Sequence, residues 1–321
     1  MYFNPVIRHI VSTFLSFLCA MPLLAQASSA RCAAPWPSVQ PLFESSIRYG
    51  DPSRKANPFI TVRIGGKPAR MLLDTGANRH VIWDARLLPA AVDTPVGSDV
   101  LSAIASSTSA KRLMLEVDDV EGHQVVQDFY VIDETPLLAE GFSGIVSPQY
   151  LADDKVTVLN FKDDCFFVSD RFDPTSAGRF EIADGTSLPN VHRVMAIAVG
   201  FKGGRIPVVV DSGADATTLA TSLIQGAESG AIRRGTVDLL GQRIEGEARL
   251  RLVDLTINGR RIVRHPVAAQ TQPHGGGMAS LGAIGMDVLR NRIVFHDNER
   301  HRFAMIERLE VPPRQDMPWA P

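Results

Sequence analysis

Two short stretches of the chain place an aspartate directly after an apolar run and directly before a tight turn. The first is MLLDTGA at residues 71–77, and the second is VVVDSGA at residues 208–214. Two carboxyl groups held about 3 Å apart cannot both ionise, so they share one proton and their pKa values separate. Such a pair takes a proton from an attacking water while it donates one to a carbonyl oxygen. We therefore interpret Asp74 and Asp211 as a carboxyl dyad suited to peptide-bond hydrolysis.

The residues after each aspartate fit this chemistry. Glycine lets the chain turn tightly and brings a backbone N–H up to the carboxylate. A Thr or Ser hydroxyl can form a hydrogen bond to the opposite loop and hold the two carboxyls coplanar. Alanine is small enough for two such loops to meet. The six residues predicted to support the dyad are Thr75, Gly76, Ala77, Ser212, Gly213 and Ala214.

The two aspartates belong to an internal repeat. Residues 60–82 match residues 197–219 without a gap at an offset of 137. Each copy predicts a strand, a Gly-containing hairpin turn and a second strand, whose continuous apolar run indicates burial on both faces. A second pair of segments follows the two copies, with small-residue turns that we equate at Gly144 and Gly285. Each aspartate is therefore expected at the end of a buried strand, in one of two β-rich lobes.

These motifs resemble the aspartic proteases, over about residues 57 to 307. The DTGA and DSGA sequences are similar to the retropepsin-like form, whereas two lobes in one chain are similar to pepsins and to exported bacterial-type aspartyl proteases. The resemblance implies an all-β fold with two homologous β-barrel lobes, related by pseudo-two-fold symmetry, and short helices. It also implies a central cleft that holds an extended peptide, with Asp74 and Asp211 as the catalytic residues.

The chain departs from the pepsin pattern in two ways. No Tyr lies between Trp83 and Phe129, so the flap is expected within residues 98–112 without an aromatic tip, and residues 271–282 are a candidate lid or a plain loop. Pepsin-type sites usually carry a hydroxyl residue after the Gly, which lowers the carboxylate pKa. Ala77 and Ala214 cannot donate in this way, so we predict activity that extends toward pH 6.

The organisation along the chain is predicted from composition and the repeat. A positive residue, an apolar stretch and Ala25-Gln26-Ala27 are typical of a secretory signal peptide, with an uncleaved membrane anchor as the alternative. The predicted segments are a signal peptide at 1–27, an N-terminal lobe at 48–169, a linker at 170–179, a C-terminal lobe at 180–308 and a Pro-rich tail at 309–321.

Export predicts a periplasmic or secreted protein that contacts no membrane once the signal is removed. Cys32 and Cys165 then remain in an oxidising compartment, where they either pair or stay free. We expect a monomer that acts on peptide or protein substrates.

Other functions are not favoured. A formal net charge of −2 gives no argument for nucleic-acid binding. The chain lacks His-Glu-x-x-His and Cys/His ligand spacing, so neither a metal nor a cofactor is expected. The alternative to an exported endopeptidase is a protein of the same fold that does not catalyse but binds an extended peptide or partner protein, or else a processing protease of very narrow specificity.

Overall fold

The computed structural model describes residues 39–89, 97–103, 106–170, 180–188, 193–233, 238, 240, 248–257, 259–270, 280–297 and 299–308. The predicted signal peptide, Cys32 and the predicted tail lie outside these residues, as does most of the predicted linker. The chain is 57% strand and 9% helix, with barrel-like sheets, which confirms the predicted all-β fold of two lobes with few short helices. The lobe boundaries themselves stay predictions.

Among the residues described before the predicted linker, there are eleven strands and one α-helix. They are β1 (Pro41–Ser46), β2 (Arg48–Asp51), β3 (Ala56–Ile64), β4 (Lys67–Leu73), β5 (His80–Ile82), β6 (Gly97–Ser102), β7 (Ser107–Asp118), β8 (Gln124–Val131), β9 (Gly144–Val146), α1 (Pro148–Ala152), β10 (Val156–Asn160) and β11 (Cys165–Ser169). Short 3₁₀ turns lie at Ala85–Leu87 and Pro136–Leu138.

Ten strands and two short helices follow the predicted linker in the described part of the chain. They are β12 (Phe180–Thr186), β13 (Ala196–Phe201), β14 (Gly204–Val210), β15 (Thr218–Ala220), α2 (Thr221–Ile224), β16 (Glu228–Arg233), β17 (Ala248–Ile257), β18 (Arg260–Gln270), β19 (Gly282–Ile284), α3 (Met286–Leu289), β20 (Ile293–Asp297) and β21 (Arg302–Arg308).

The two halves contain the same sheet twice. The first half has the order β2-β3-β4-β9-β5-β8-β7-β6, and the second has the order β13-β14-β19-β15-β18-β17-β16. Apart from β2, each strand of the first sheet has a counterpart at the same place in the second. Additional pairings of β3 with β7 and of β13 with β17 curl each sheet back on itself, which makes it barrel-like.

The repeated hairpins share one register. Ile60 of β3 pairs with Met71 of β4, and Ile197 of β13 pairs with Val208 of β14. The apolar side chains at the ends of β4 and β14 are almost fully buried. Parallel pairing of β4 with β9 and of β14 with β19 encloses both strand ends in the sheets. The chain therefore leaves each sheet interior just before Asp74 and just before Asp211.

A third sheet joins the two halves. Its order is β1-β11-β10-β20-β21-β12, with β10 of the first half antiparallel to β20 of the second. Val156 pairs with Asp297, and Asn160 pairs with Ile293, at the two ends of this junction. Strand β1 lies before the predicted start of the first lobe and pairs with β11 at the edge of this sheet. A large apolar core also contains residues of both halves, so the halves share one packed interior.

Candidate active site

Backbone hydrogen bonds fix where each aspartate of the predicted dyad begins. The N–H of Asp74 donates to the carbonyl of Val146, at 3.0 Å, and the N–H of Asp211 donates to the carbonyl of Ile284, at 2.9 Å. Val146 and Ile284 are the last residues of β9 and β19, which flank β4 and β14. An equivalent backbone hydrogen bond therefore follows β4 in the first half and β14 in the second, and it anchors the two aspartate loops at equivalent positions.

The two carboxyl groups meet between the halves. Asp74 and Asp211 share a side-chain hydrogen bond, and Asp211 is buried. Each carboxyl group also lies against the glycine of the opposite loop. A Cβ atom on Gly76 would lie 2.7 Å from Cγ of Asp211, and one on Gly213 would lie 2.9 Å from Cγ of Asp74. A side chain at either glycine would therefore displace a carboxyl group, so the close approach of the loops requires glycine here.

Each carboxylate is held by two N–H groups of its own loop. Oδ1 of Asp74 accepts from Gly76, at 2.8 Å, and from Ala77, at 3.1 Å. The corresponding N–H groups of the second loop donate to Oδ1 of Asp211 at 2.9 and 3.1 Å. These donors are Gly213 and Ala214. Because one oxygen of each carboxyl group is held in this way, the dyad has the same geometry on both sides of its pseudo-two-fold axis.

Hydroxyl groups tie the two loops together. The hydroxyl of Thr75 donates to the carbonyl of Val210, at 2.7 Å, and accepts from the N–H of Ser212, at 2.9 Å. In return, the hydroxyl of Ser212 donates to the carbonyl of Leu73, at 2.6 Å, and accepts from the N–H of Thr75, at 3.0 Å. Thr75 and Ser212 are fully buried. These four buried hydrogen bonds cross between the halves and restrict movement of one aspartate relative to the other.

The environment raises the pKa values of both carboxyl groups. Burial first, and then the negative charge of Asp211, together raise the pKa of Asp74 to about 7, against the opposing effect of the Gly76 and Ala77 N–H groups. Burial also raises the pKa of Asp211, which the hydrogen bond from Asp74 and the N–H groups of its own loop partly offset. A carboxyl pair with raised pKa values that shares a hydrogen bond retains one proton in weakly acidic solution.

A second layer of polar groups supports the two loops, and sequence reasoning missed it. The buried amide of Gln149, in α1, donates to the carbonyls of Thr75 and Ala77 at 3.1 and 2.9 Å. In the other half, Asp287 of α3 accepts from the N–H of Thr217, at 2.9 Å, and from its hydroxyl, at 2.8 Å. Both groups lie near the start of the helix that follows β9 or β19, a position that the repeat alone does not mark as functional.

The segment predicted to form the flap contains a β-hairpin. Strands β6 and β7 pair as far as Ser102 and Ser107. The hydroxyl of Ser106, at this tip, donates to Asp238 of the second half at 2.5 Å. Asp238 is buried, and its contact with the tip was not anticipated from the sequence. The candidate lid at residues 271–282 lies outside the described residues up to position 279.

The segment around Asp238 also reaches the apolar surface beneath the hairpin. Leu240 packs against a cluster of first-half residues that includes Leu101, and Ala77 packs against the same cluster. By topology, the segment between β16 and β17 is the counterpart of the β6–β7 turn. Residues from both halves therefore pack against the cluster that Ala77 of the first dyad loop also contacts.

Cys165 is disulfide-bonded, and its partner lies outside the described residues. The pairing of Cys165 with Cys32 therefore stays a prediction. In the described part of the chain, no cluster of His, Cys, Asp and Glu side chains is arranged to hold a metal ion. None of the helices described is long and apolar enough to cross a membrane.

Comparison with known protein families gives a match in the first half of the chain. Residues 54–138 match the family model described as retroviral aspartyl protease. The matched range contains the Asp74 loop and the β6–β7 hairpin. No curated protein matches the chain.

Proposed function

We propose that the chain, whose residues 54–138 match the family model of the retroviral aspartyl proteases, is an exported aspartic endopeptidase. Asp74, within these residues, acts with Asp211 of the second half as a single catalytic dyad. The substrates are peptides or unfolded proteins, as expected of a protease domain. The other dyad-loop residues hold these two carboxyls in place and do not take part in the chemistry.

One observation supports this proposal above the others, namely the shared hydrogen bond between the carboxyl groups of Asp74 and Asp211. Two isolated Asp-Thr/Ser-Gly turns could each serve a local structural purpose, since Asp often bonds to nearby backbone N–H groups. A structural purpose does not require the two carboxyls, which lie on opposite halves, to face each other at contact distance. It also does not require four hydrogen bonds that lock one loop to the other.

The proposed reaction needs one proton on the dyad. The ionised carboxyl accepts a proton from a bound water as its oxygen attacks the carbonyl carbon of the substrate. The protonated carboxyl donates its proton to the carbonyl oxygen, and a tetrahedral diol forms. When the diol collapses, the C–N bond breaks, the nitrogen of the leaving amine receives a proton from one carboxyl group, and a diol hydroxyl gives its proton to the other carboxyl group as the C=O bond re-forms. The dyad ends with one proton, as it began, and neither aspartate is assigned that proton permanently.

The proposed substrate binds in extended form between the dyad and the β6–β7 hairpin. Main-chain pairing to the hairpin would supply sequence-independent affinity, because an extended peptide adds to an exposed strand edge. The contact between Ser106 and Asp238 joins the tip of this hairpin to the second half. Substrate entry therefore requires this contact to open.

Export is the other part of the proposal, and the N-terminal sequence supports it. Residues 1–27 have the composition of a signal peptide, and a disulfide at Cys165 suits an oxidising compartment. Edman sequencing of protein recovered from the periplasm or medium is expected to begin at Ser28. Recovery of an intact N-terminus in the membrane fraction would instead support an uncleaved anchor.

The decisive experiment measures turnover of unfolded casein at pH 5.5 by the chain from residue 28 onward. We expect fragments from the wild-type protein, and a loss of about three orders of magnitude or more in kcat for Asp74→Asn and for Asp211→Asn. Asp154→Asn is the matched control, because Asp154 is exposed and pairs with its neighbour Lys155. Circular dichroism of each variant confirms that it is folded.

Equal turnover by all four proteins would refute the dyad and the proposed function. If none of them cleaves casein but all bind its peptides, the chain is a non-catalytic binding protein. If none cleaves casein and one cellular protein is cut only in cells with an intact dyad, the chain is a narrow processing protease. Terminal proteomics of cells that carry the wild type or Asp74→Asn separates these two outcomes.

A further inference from the structure

Arg79 is a half-buried cation close to the dyad. It lies five residues after Asp74, in the loop that links the catalytic turn to β5. Its Nε donates to the hydroxyl of Tyr130 at 3.3 Å, and its Nη1 donates to the carbonyl of Asn78, at 2.7 Å, and to the hydroxyl of Tyr150. Among the described residues, no carboxylate lies within ion-pair distance of Arg79, and its Nη2 makes no hydrogen bond. One end of the guanidinium group therefore keeps two unused donors.

Comparison with Arg112, which lies over the same tyrosine ring, shows that Arg79 lacks a carboxylate partner in the described part of the chain. Arg79 and Arg112 both lie over the ring of Tyr130, at 5.7 and 5.8 Å from its centroid. Arg112 has a carboxylate of its own, because it forms an ion pair with Asp128. Of the two, only Arg79 has aromatic support without a counter-ion.

The same arrangement recurs at the second tyrosine. Arg79 and Arg193 lie over the ring of Tyr150, at 5.1 and 5.7 Å. Arg193 forms an ion pair with Asp153, at 2.9 Å. The aromatic rings on Tyr130 and Tyr150 hold the guanidinium of Arg79 in position, so little side-chain entropy would be lost when it binds an anion.

A chain of contacts through Tyr130 connects Arg79 to the β6–β7 hairpin. Asp99 of β6, in the flap hairpin, accepts from the hydroxyl of Tyr130 at 3.1 Å. Tyr130 therefore connects Arg79, which follows the Asp74 turn, to the base of this hairpin. Asp99 also accepts from the N–H of Val100 and makes no direct bond to Arg79. The acidic group of Asp99 lowers the local positive potential but leaves Nη2 of Arg79 available.

The second half lacks this feature. At the offset of 137 that relates the two loops, Ala216 stands where the first half has Arg79, and Asp215 stands where it has Asn78. Asp215 makes a long contact of 3.5 Å with Arg54, and both side chains are substantially exposed. The dyad is thus nearly symmetric, whereas the charges beside it are not.

We infer that Arg79 forms a cationic subsite on the first-half side of the cleft, which binds an acidic side chain of the substrate. This inference rests on the proposed function. A symmetric dyad by itself accepts a peptide in either of two directions across the pseudo-two-fold axis. Pairing of one Asp or Glu with Arg79, and the negative charge of Asp215 on the other side, would favour one direction.

The experiment uses a proteome-derived peptide library, incubated with the chain from residue 28 onward at pH 5.5, with cleavage sites read by mass spectrometry. Asp and Glu side chains are ionised at this pH. We expect them to be enriched at one position relative to the cleaved bond, and not at its symmetry-related position. For a peptide pair that differs only by Asp or Asn at that position, we expect kcat/KM to be about fivefold higher for Asp, the effect of about 1 kcal/mol at a partly exposed ion pair.

Arg79→Gln is expected to abolish this preference, so that the Asp and Asn peptides are cleaved with equal kcat/KM. The matched control is Arg302→Gln, which removes an arginine that lies over the ring of Phe295 in the sheet that joins the halves. A second reading comes from pH, because the preference must disappear as the substrate Asp is protonated below about pH 4.

Three results would overturn the inference. A library that is cleaved without acidic enrichment at any position would refute the subsite and leave the protease function intact. Enrichment that persists in Arg79→Gln would assign it to another residue. A library that the wild-type protein leaves uncut would overturn the proposed function and, with it, this inference.

Discussion

Replacing Ala77 by Ser tests how the catalytic loop sets the pKa of the dyad. The N–H of Ala77 already lies 3.1 Å from Oδ1 of Asp74. A serine there adds an O–H donor within reach of the same carboxylate. The added hydrogen bond stabilises the ionised form of Asp74, so the pKa of the dyad falls. The alkaline limb of the pH–activity profile is therefore expected to move to lower pH.

The size of this shift follows from the hydrogen bonds already present. A hydrogen bond to a charged group contributes about 1.5–3 kcal/mol, and a third donor to an oxygen that already accepts two contributes less, about 1 kcal/mol. Since about 1.4 kcal/mol corresponds to one pH unit, the limb is expected to move by about 0.7 pH units. Asp74 has a pKa raised to about 7, so the wild-type limb is expected near pH 7. Activity above this limb should be about fivefold lower in Ala77→Ser than in the wild type.

The assay is a profile of kcat/KM between pH 3 and pH 8 on one peptide without titratable side chains. Ala214→Ser, on the symmetry-related loop, is expected to move the limb in the same direction. Ala139→Ser is the control, because Ala139 is exposed and lies outside the catalytic loops. An unchanged limb in both loop variants would refute the argument that the alanines set the dyad's pKa. A wild-type optimum near pH 2 would refute the raised pKa itself.

Two further predictions concern the geometry of the loops. Gly76→Ala places a methyl group 2.7 Å from the carboxyl carbon of Asp211, so it is expected to lower kcat by about a hundredfold or more. The control is Gly204→Ala, whose Cβ comes no closer than 3.7 Å to a neighbour and which is expected to leave kcat unchanged. Equal kcat values for the two variants would show that the dyad loops tolerate separation. Thr75→Val keeps the side-chain shape but leaves the N–H of Ser212 without its acceptor. Urea denaturation is therefore expected to show a loss of about 2–4 kcal/mol in the free energy of unfolding. A loss below about 0.5 kcal/mol would contradict a stabilising role for the buried hydrogen bonds between the two loops.

The repeat was a sound guide to the fold because the same local pattern occurs twice. Continuous apolar runs ending at Leu73 and Val210 predicted strands buried on both faces, and both strands lie inside their sheets with parallel neighbours. The positions of Asp74 and Asp211 at the strand ends followed from this pattern. Such features depend on neighbouring residues in the sequence, which is why periodicity alone can predict them.

The comparison of the later segments was less accurate. The sequence interpretation equated Gly144 with Gly285, whereas the structure equates Gly144 with Gly282, the first residue of the matching strand. Ser147 is therefore the counterpart of Gly285. The first half carries a larger residue at a place where the second half has glycine, so matching by residue type shifted the alignment by three positions.

Long-range contacts could not be predicted from the sequence. The donation of Gln149 to the catalytic loop joins residues more than 70 positions apart, and the contact of Ser106 with Asp238 joins residues 132 positions apart. Nothing in the local pattern around these residues distinguishes them from ordinary surface or turn residues. The sheet that combines β1, β10, β11, β12, β20 and β21 was missed for the same reason, because strand partners are chosen by packing over the whole chain.

The sheet that joins the halves has a mechanical consequence. Its central ladder, β10 against β20, pairs five residues on each strand, and all ten are buried. Moving the two halves apart as rigid bodies would break the backbone hydrogen bonds of this ladder. It would also expose two unpaired strand edges to water, which is energetically unfavourable. The six-stranded sheet that joins the halves therefore resists their separation and does not serve as a hinge. For the proposed endopeptidase, this leaves displacement of the β6–β7 hairpin as the route of substrate entry, and the rate of that displacement then sets an upper limit on turnover.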